Sequence, residues 1–249
     1  MQPFIIENFN GAIWRMEIDE LTETIFVEVR DSEEKRVSFG SVNLISGEIY
    51  FKDLTTPERW LTGIEAAYDG VLLLHNYQTE SGPAHKGLVA IDGQTAATLW
   101  SNYNVTFDHL SVQGPILFDS RFQPRKLFLI DVKTGATIGN YPSSDNKELP
   151  NSIVLPELVS YEIVNNMSQI PAFGGAVHYL EHNNFRIVSL HSLIEGWLSQ
   201  HLFVMDGDEK VYEDLLNNNI QKMQPEAFIL HKERLIYIKN KSELKVLTL

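Results

Sequence analysis

One short pattern recurs along this 249-residue chain and restricts its fold more than any other feature. Four apolar residues are followed by Asp or Asn, then by a turn, and then by a second short strand. The apolar runs lie at residues 88–91, 127–130, 202–205 and 235–238, with Asp92, Asp131, Asp206 and Asn240 at or just after their ends, and a fainter copy surrounds Asn43. Short β-rich runs with turn residues between them are typical of an all-β protein.

The polar residue has a local physical role in this pattern. In residues 131–135 the Asp131 carboxylate can accept hydrogen bonds from backbone N–H groups, and Gly135 can adopt a positive φ. Asp92 and Asn43 begin segments of the same form. We therefore expect the chain to turn tightly after each apolar run, and the turn residues to be structural.

The apolar runs also predict how the strands are stacked. A strand with one solvated face alternates apolar and polar residues, whereas these runs are apolar throughout, which indicates burial on both faces. Repeats of about 40 to 50 residues with four strands each are typical of propeller blades. The predicted fold class is all-β: a small β-propeller of about five four-stranded antiparallel blades.

We expect a single domain over residues 1–249, with an N-terminal segment, residues 1–11, that pairs with the last blade. The predicted blades are roughly residues 12–53, 60–103, 107–142, 157–215 and 220–249.

Two of the repeats resemble a known family. Residues 88–100, with Asp92, Thr95 and Trp100, and residues 127–135 are similar to the blade motif of quinoprotein-type (PQQ-like) β-propellers: an apolar strand, Ala/Leu-x-Asp-x-x-Thr-Gly, and a strand that often ends in Trp. The resemblance implies the blade fold. The chain is too short for the quinone-dependent members and has no cysteine, so the resemblance implies a cofactor-free protein and carries over no functional residue. The chain's size and lack of a signal are also similar to propeller-like proteins from Bacteroidetes.

Charge and composition exclude several classes of partner. The net charge is −13, from 33 acidic and 20 basic residues, and the longest basic runs are pairs such as Arg125-Lys126. Because nucleic acid is strongly anionic, we expect no nucleic-acid partner. The sequence has no apolar run near the roughly 18 residues that a membrane span needs, and we expect no membrane partner.

The N-terminus and the absence of cysteine bear on compartment and chemistry. No basic residue precedes Arg15, so no signal peptide is expected, and the predicted location is cytoplasmic. The lack of cysteine excludes disulfides, thiolate metal sites and a cysteine nucleophile. No glycine-rich phosphate loop and no Gly-x-Ser-x-Gly nucleophile elbow is present.

One segment matches a metal-protease sequence motif. Residues 178–182 match His-x-x-Glu-His, whose chemistry requires a helix that brings the two histidines to one face. Glycines before the segment and asparagines after it favour a strand, on which His178 and His182 would be about 13 Å apart. The pattern therefore predicts no metal site.

Acidic residues fall near the predicted innermost strands: Glu17, Asp19, Glu65, Asp69, Asp108, Glu157, Glu162 and Glu226. If they converge, a pair of carboxyl groups about 5 to 9 Å apart would suit glycoside hydrolysis, and a ring of oxygens would suit Ca²⁺. The alternative is that an acidic chain places acids at strand ends everywhere.

Aromatic residues and long loops indicate a binding face. Trp100 is expected to serve packing, whereas Trp60 lies in a connecting loop that is better placed for binding. The two longest predicted loops, residues 76–86 and 141–156, are expected on one face. The residues expected near a ligand or partner there are Trp60, Tyr77, His85, Asp108, Arg121 and Tyr141.

These observations favour a non-catalytic propeller that acts as a binding or scaffold module, with a protein or small molecule as its partner. We expect no catalytic, cofactor-binding or metal-binding residues. The alternative is a glycoside-acting hydrolase that uses carboxylates in the central funnel.

Overall fold

The computed structural model of the protein describes residues 1–79, 82–141, 146–164, 170–225 and 227–249, and nearly all of their regular structure is β-strand. The chain forms two compact units. One unit is Asn10–Asn151; the other combines Met1–Phe9 with Ser152–Leu249. No helix in the described ranges is long and apolar enough to cross a membrane.

The unit Asn10–Asn151 contains three four-stranded antiparallel sheets, each a meander of consecutive hairpins. Its strands, in three successive groups of four, are β2 (Ala12–Asp19), β3 (Thr24–Asp31), β4 (Arg36–Asn43) and β5 (Ile49–Leu54); β6 (Thr62–Tyr68), β7 (Val71–Thr79), β8 (Gly82–Asp92) and β9 (Thr98–Asn102); β10 (Val105–Ser111), β11 (Gly114–Asp119), β12 (Leu127–Ile130) and β13 (Thr137–Tyr141).

The other unit contains two five-stranded sheets, in the orders β15-β16-β17-β18-β19 and β1-β22-β21-β20-β14. The N-terminal strand β1 pairs antiparallel with the C-terminal strand β22, as expected from the sequence. Two short 3-10 turns, Tyr161–Ile163 and Phe173–Gly175, precede β16. The strands are β1 (Ile5–Asn8), β14 (Ile153–Val154), β15 (Glu157–Ser160), β16 (Ala176–His182), β17 (Phe185–Ile194), β18 (Trp197–Asp206), β19 (Glu209–Ile220), β20 (Ile229–His231), β21 (Arg234–Lys239) and β22 (Glu243–Thr248).

The predicted fold class is confirmed. The described residues form five antiparallel sheets with the four-stranded meander form of small β-propeller blades, two of which carry a fifth strand. The fourth blade was expected at roughly residues 157–215, and the last strand of the corresponding sheet, β19, continues to Ile220.

The middle strands are buried on both faces, as the apolar runs predict. On β7, Leu72 and Leu74 pack with Phe26 of the first sheet, whereas the intervening Leu73 packs with Val132 at the end of β12. All three leucines are 1% exposed or less. Burying one such side chain stabilises the fold by about 1.5 to 3 kcal/mol, so the alternate faces of β7 tie it to two neighbouring sheets.

Side-chain acceptors hold three of the recurrent turns. The Oδ1 atom of Asp131 accepts hydrogen bonds from the backbone N–H groups of Lys133 (2.9 Å) and Thr134 (2.8 Å) and from the Thr134 hydroxyl (3.0 Å). Asp92 and Asn43 hold their turns in the same way. The side-chain oxygen of each accepts hydrogen bonds from the backbone N–H groups two and three residues later. These are the side-chain-to-backbone hydrogen bonds that the sequence predicts for the turns.

The other two turns are built differently, so the five copies are not uniform. The Asp206 carboxylate accepts a hydrogen bond from the side-chain amide of Asn184. At the remaining copy, Asn240 and Lys241 both have left-handed backbone, with φ of +51° and +65°. Asn tolerates this conformation better than most residues, which explains its place in the pattern.

Trp100 joins its own sheet to the turn of the next sheet, which confirms its predicted packing role. Its indole N–H donates a hydrogen bond of 2.7 Å to the Val132 carbonyl oxygen. Its ring also lies against Gly135, where an added Cβ would be 2.8 Å from Trp100 Cδ2. Gly135 has a φ of +71°, so glycine is required there both by the backbone and by the ring.

Asp214 on β19 connects the two sheets of its unit through charge. Its carboxylate accepts hydrogen bonds from Lys239 (2.6 Å), Lys245 (2.7 Å) and the Tyr237 hydroxyl (2.8 Å). Burial by itself raises the pKa of Asp214, but these hydrogen bonds outweigh burial and hold the pKa below its usual value. The outer strand β19 is thereby fastened to β21 and β22.

We predict that Asp131→Ala lowers the free energy of unfolding by about 1 kcal/mol, because the turn loses its acceptor. Asp131→Asn retains an acceptor oxygen, and Asn43 holds the equivalent turn of the first sheet, so this variant should lose much less. Urea unfolding of the three proteins measures both effects. Equal losses in the two variants would contradict the acceptor role.

We predict that Asp214→Asn lowers the free energy of unfolding at pH 7 by about 2 kcal/mol, because two lysines lose their charged acceptor. A carboxyl group with a lowered folded pKa stabilises the fold above its unfolded pKa of about 3.9, and this stabilisation is lost as the pH falls through the folded value. The difference between wild type and variant should therefore narrow as the pH falls below about 4.

Urea unfolding over this pH range measures that difference. Asp208→Asn is the matched control, since its side chain is fully exposed. A difference that stays constant from pH 7 to pH 3 would contradict the role of the Asp214 charge.

Candidate functional site

Glu65, His75 and His85 come together on three consecutive strands, β6, β7 and β8. The Oε2 atom of Glu65 lies 2.8 Å from His85 Nδ1 and 3.2 Å from His75 Nδ1. The two imidazole rings stack, with centroids 3.5 Å apart and planes 9° apart. One ligand atom from each residue lies within 4.8 Å of the others, and within the described ranges no other group of His, Cys, Asp and Glu is so disposed to hold a metal ion.

A β-bulge places Glu65 in this cluster. Ile64 pairs with Leu74 and Ala66 pairs with Leu73, so Glu65 is the extra residue between two regular pairs. A bulge redirects a side chain without changing the ladder on either side, and bulges are common next to active sites. Trp14 on β2 and Asp108 on β10 are the extra residues of bulges in the first strands of the other two sheets of this unit.

A second irregularity brings the two histidines together. The ladder between β7 and β8 shifts after His75, because Gly87 has no partner in the register. Gly87 has a φ of +71°, and an added Cβ would lie 3.0 Å from the Tyr103 Cα, so a side chain is strained there. Tyr77 then pairs with His85, and His75 reaches the same ring stack.

The electrostatics of the cluster are those of an ionised carboxylate between two imidazoles. Burial by itself raises the pKa of Glu65, but the His75 and His85 imidazoles outweigh burial and hold the pKa below its usual value. The His75 side chain is only 2% exposed, and neither of its ring nitrogens makes a hydrogen bond within the described part of the chain. Its 3.2 Å contact with Glu65 does not have the geometry of a hydrogen bond.

A second carboxyl group lies nearby on the first strand of the preceding sheet. The Arg15 guanidinium donates hydrogen bonds of 3.1 Å to both Glu17 Oε2 and the Glu65 carbonyl oxygen. Burial raises the pKa of Glu17, and the Glu65 charge adds to this effect, although Arg15 opposes it. The pKa values of two neighbouring carboxyl groups are thus shifted in opposite directions.

A buried ion pair supports the cluster from behind. Glu28 Oε1 lies 2.7 Å from Arg30 Nε, and Glu28 Oε2 accepts a hydrogen bond of 2.8 Å from the Ile64 N–H. A Cβ added to Gly63 would lie 3.0 Å from Glu28 Oε2 and 3.2 Å from His75 Nε2. Glycine at this position lets Glu28 and the His75 ring share a small space.

The opposite side of Arg30 faces aromatic rings. Its Cζ atom lies 5.6 Å from the ring centroid of Trp14, 5.0 Å from Trp60 and 6.0 Å from Tyr77. We call these four residues the aromatic–arginine cluster. Tyr77 also meets the His85 ring edge-on at 5.3 Å, so this cluster is continuous with the histidines. Trp14 is 69% exposed.

Three of the six residues expected at a binding face, Trp60, Tyr77 and His85, therefore lie together. The other three are arranged separately. Asp108 Oδ2 lies 2.7 Å from His109 Nδ1, and the His109 ring meets Tyr141 edge-on at 5.0 Å. Arg121 is exposed and bound to Asp119 in the turn that follows β11.

The expectation of a long loop at residues 76–86 is wrong. Residues 76–79 belong to β7 and residues 82–86 to β8, so this segment is the outer part of a long hairpin. Residues 80–81, and residues 142–145 of the other predicted loop, lie outside the described residues.

The acidic residues expected on innermost strands have several different roles. Asp19 is fully buried and accepts hydrogen bonds from Leu21, Thr22 and Gly70, which is a structural role. Asp69 forms an ion pair of 2.7 Å with Lys133. Glu157 and Glu162 are exposed residues of the other unit, and Glu226 lies outside the described residues. Glu17 and Glu65 are the pair whose charges interact next to the histidines.

The His-x-x-Glu-His segment lies on strand β16, as predicted, and not on a helix. His182 Nε2 is 3.2 Å from Glu233 Oε2. The helical geometry that a metal-protease motif requires is therefore absent from this described strand.

Sequence reasoning missed Trp14, Arg30 and His75. His75 directly follows the apolar residues 71–74, and nothing in that context marks it as a site residue. The Tyr77–His85 pair lies between two register shifts of the β7–β8 ladder, so the spacing along the chain does not predict it. No signal marks Trp14 or Glu65 either, because a bulge has no fixed sequence pattern.

A cavity of about 190 Å³ in the same unit is lined in part by Thr62, Asn76 and Tyr103. Pockets for small molecules usually measure about 300 to 1,000 Å³. Neither the aromatic–arginine cluster nor the Glu65–His75–His85 cluster lines this cavity.

Comparisons with known proteins give a family match over part of the chain. Residues 18–100 match a family described as "Domain of unknown function (DUF4905)". This range includes Glu28, Glu65, His75 and His85. A search of curated proteins gives no significant match.

Among solved structures, a eukaryotic initiation factor matches with 8% identity and a TM-score of 0.36, covering 95% of this chain and 52% of that chain. The GH43 BlXynB protein from Bacillus licheniformis matches with 7% identity and a TM-score of 0.30, covering 97% and 56%. A GH43_12 protein retrieved from capybara gut metagenome matches with 11% identity and a TM-score of 0.33, covering 100% and 54%. This chain thus spans little more than half the length of these structures, and such low scores carry no functional argument.

Proposed function

We propose that this protein is a non-catalytic binding or scaffold module, and that its ligand contacts the aromatic–arginine cluster and the adjoining edge of His85. The observation that carries the proposal is the position of Trp14. This large ring is 69% exposed on a β-bulge, and it lies against an arginine that is itself held by a buried carboxylate.

The arrangement has the features of a recognition surface. Trp, Tyr and Arg contribute most of the binding energy at many interfaces, since they bury a large area and lose little conformational freedom. Here the Glu28 carboxylate and the Thr62 carbonyl oxygen fix Arg30, so its side chain is ordered before a ligand arrives. Preordered groups reduce the entropic cost of binding.

We also propose that the ligand surface extends beyond the aromatic–arginine cluster. Asp108, Arg121 and Tyr141 would form its outer part, with a small molecule or a protein as the partner. A cytoplasmic location and a relationship to quinoprotein-type propellers, without a cofactor, remain predictions from the sequence.

We predict that Trp14→Ala weakens ligand binding at least about tenfold, as expected for loss of a central aromatic contact. A thermal-shift screen of neutral oligosaccharides and aromatic small molecules would identify ligands, and intrinsic fluorescence titration would give their affinities. Trp197→Ala is the matched control, because Trp197 is 49% exposed in the other unit and should leave affinity unchanged. Equal loss in both variants, or none in Trp14→Ala, would argue against this surface.

A second candidate function, glycoside hydrolysis, is favoured by one specific observation. The pKa of Glu17 is raised and that of Glu65 is lowered, and opposite shifts in neighbouring carboxyl groups are typical of a general acid paired with an ionised carboxylate. In this mechanism Glu17 would protonate the leaving-group oxygen, and Glu65 would act as the base or nucleophile.

Hydrolysis of a panel of 4-nitrophenyl glycosides, followed by release of 4-nitrophenol, decides between the two candidates. If the protein is a glycosidase, Glu17→Gln should lower kcat by about 100-fold or more, because the general acid is lost. Glu157→Gln is the control, since Glu157 is an exposed acid of the other unit. No turnover by the wild type on any member of the panel would leave the binding module as the better account.

A further inference from the structure

The Glu65–His75–His85 cluster has the dimensions of a metal site. In proteins a zinc ion lies about 2.0 to 2.2 Å from nitrogen and oxygen ligands. Donor atoms on a tetrahedral ion are therefore roughly 3.3 to 3.6 Å from one another. Glu65 Oε2 is 2.8 Å from one imidazole nitrogen and 3.2 Å from the other, and the three ligand atoms all lie within 4.8 Å of one another, so side-chain movement alone would admit an ion.

Packing does not explain why the His75 imidazole is buried without a hydrogen-bond partner. This imidazole is almost fully buried, and within the described part of the chain both ring nitrogens lack a hydrogen-bond partner. A buried polar group without a partner costs about 1 to 3 kcal/mol, so such groups are rare unless they serve another purpose. The Nδ1 atom faces the carboxylate that His85 also contacts, which is where a shared ligand would lie.

The His75 and His85 rings lie parallel, with centroids 3.5 Å apart and planes 9° apart. An ion bound to a ring nitrogen lies close to the plane of that ring, so ion binding requires the His85 ring, which is more exposed than the His75 ring, to turn out of the stack.

The surroundings of His75 fit the support that metal-binding histidines usually have. A ligating histidine commonly directs its second ring nitrogen toward a carboxylate, carbonyl or water. Here Glu28 Oε2 and His75 Nε2 both approach the space left open at Gly63. Glu28 is held in place by Arg30 and by the Ile64 N–H, so this second carboxylate is rigid.

We propose that Glu65, His75 and His85 bind a divalent first-row transition-metal ion such as Zn²⁺. Two imidazoles and one carboxylate suit these ions, whereas Ca²⁺ and Mg²⁺ prefer oxygen ligands. Three protein ligands leave at least one coordination position for water or for a ligand atom. The proposal differs from the sequence-based expectation of no metal, and it goes beyond the binding function because it requires no organic ligand.

Calorimetric titration of the untagged full-length chain with Zn²⁺, after EDTA treatment and desalting, tests the site directly. We expect one ion per chain, and titration with Co²⁺ should give visible absorption from a nitrogen- and oxygen-coordinated ion. His85→Gln should lower the Zn²⁺ affinity by more than about tenfold. His85 is the best residue to change, because its side chain is 29% exposed and its replacement should not prevent folding.

Two further variants sharpen the test. Glu65→Gln preserves the shape of the side chain but removes its charge, and it should weaken Zn²⁺ binding in the same way. His182→Gln is the matched control, since His182 also lies on a strand beside a glutamate, 3.2 Å from Glu233. This control should bind Zn²⁺ like the wild type. Circular dichroism of each variant confirms that the fold is retained.

The outcomes separate cleanly. One Zn²⁺ per chain, lost in His85→Gln and Glu65→Gln but kept in His182→Gln, supports the site. No binding by the wild type, or binding that both cluster variants retain, overturns it. Since only the metal ion is added, either result stands apart from the thermal-shift screen and from the glycoside assay.

Discussion

The middle strand of each sheet must bury two apolar faces at once, and this constraint organises the rest of the molecule. Leu72 and Leu73 are neighbours in sequence yet contact different sheets. A single sheet of this kind therefore cannot bury both faces of its middle strand. Neighbouring sheets within a unit are therefore required for one another's stability. A charge that is buried on such a face requires a partner, because an unpaired buried charge is costly.

The Glu28–Arg30 pair shows how such a charge is accommodated. Both residues lie on β3, and their hydrogen bonds reach the backbone of β6 in the next sheet. An ion pair that is this buried adds little stability by itself, because desolvation opposes the attraction between its charges. Its more specific effect is to fix the position of β6, and with it the backbone that carries Glu65.

The sequence predicted features that depend on local chemistry and missed those that depend on register. Asp92 and Asp131 hold their turns through bonds to residues two and three positions later, so the local pattern was sufficient. The all-β class and the two-sided burial followed from the apolar runs. The approach of His75 to Glu65 depends on unpaired residues in two ladders, and nothing in the spacing along the chain indicates where such irregularities fall.

The bulges at Trp14, Glu65 and Asp108 have a consequence for how such proteins could diversify. Each is an extra residue between two ladder pairs that remain regular on both sides. A substitution there changes the chemistry shown to the surroundings and leaves the neighbouring pairs in place. Three equivalent strands thus offer an indole, a carboxylate paired with imidazoles, and a carboxylate beside a single imidazole. Selection could alter specificity at these positions while the framework stays constant.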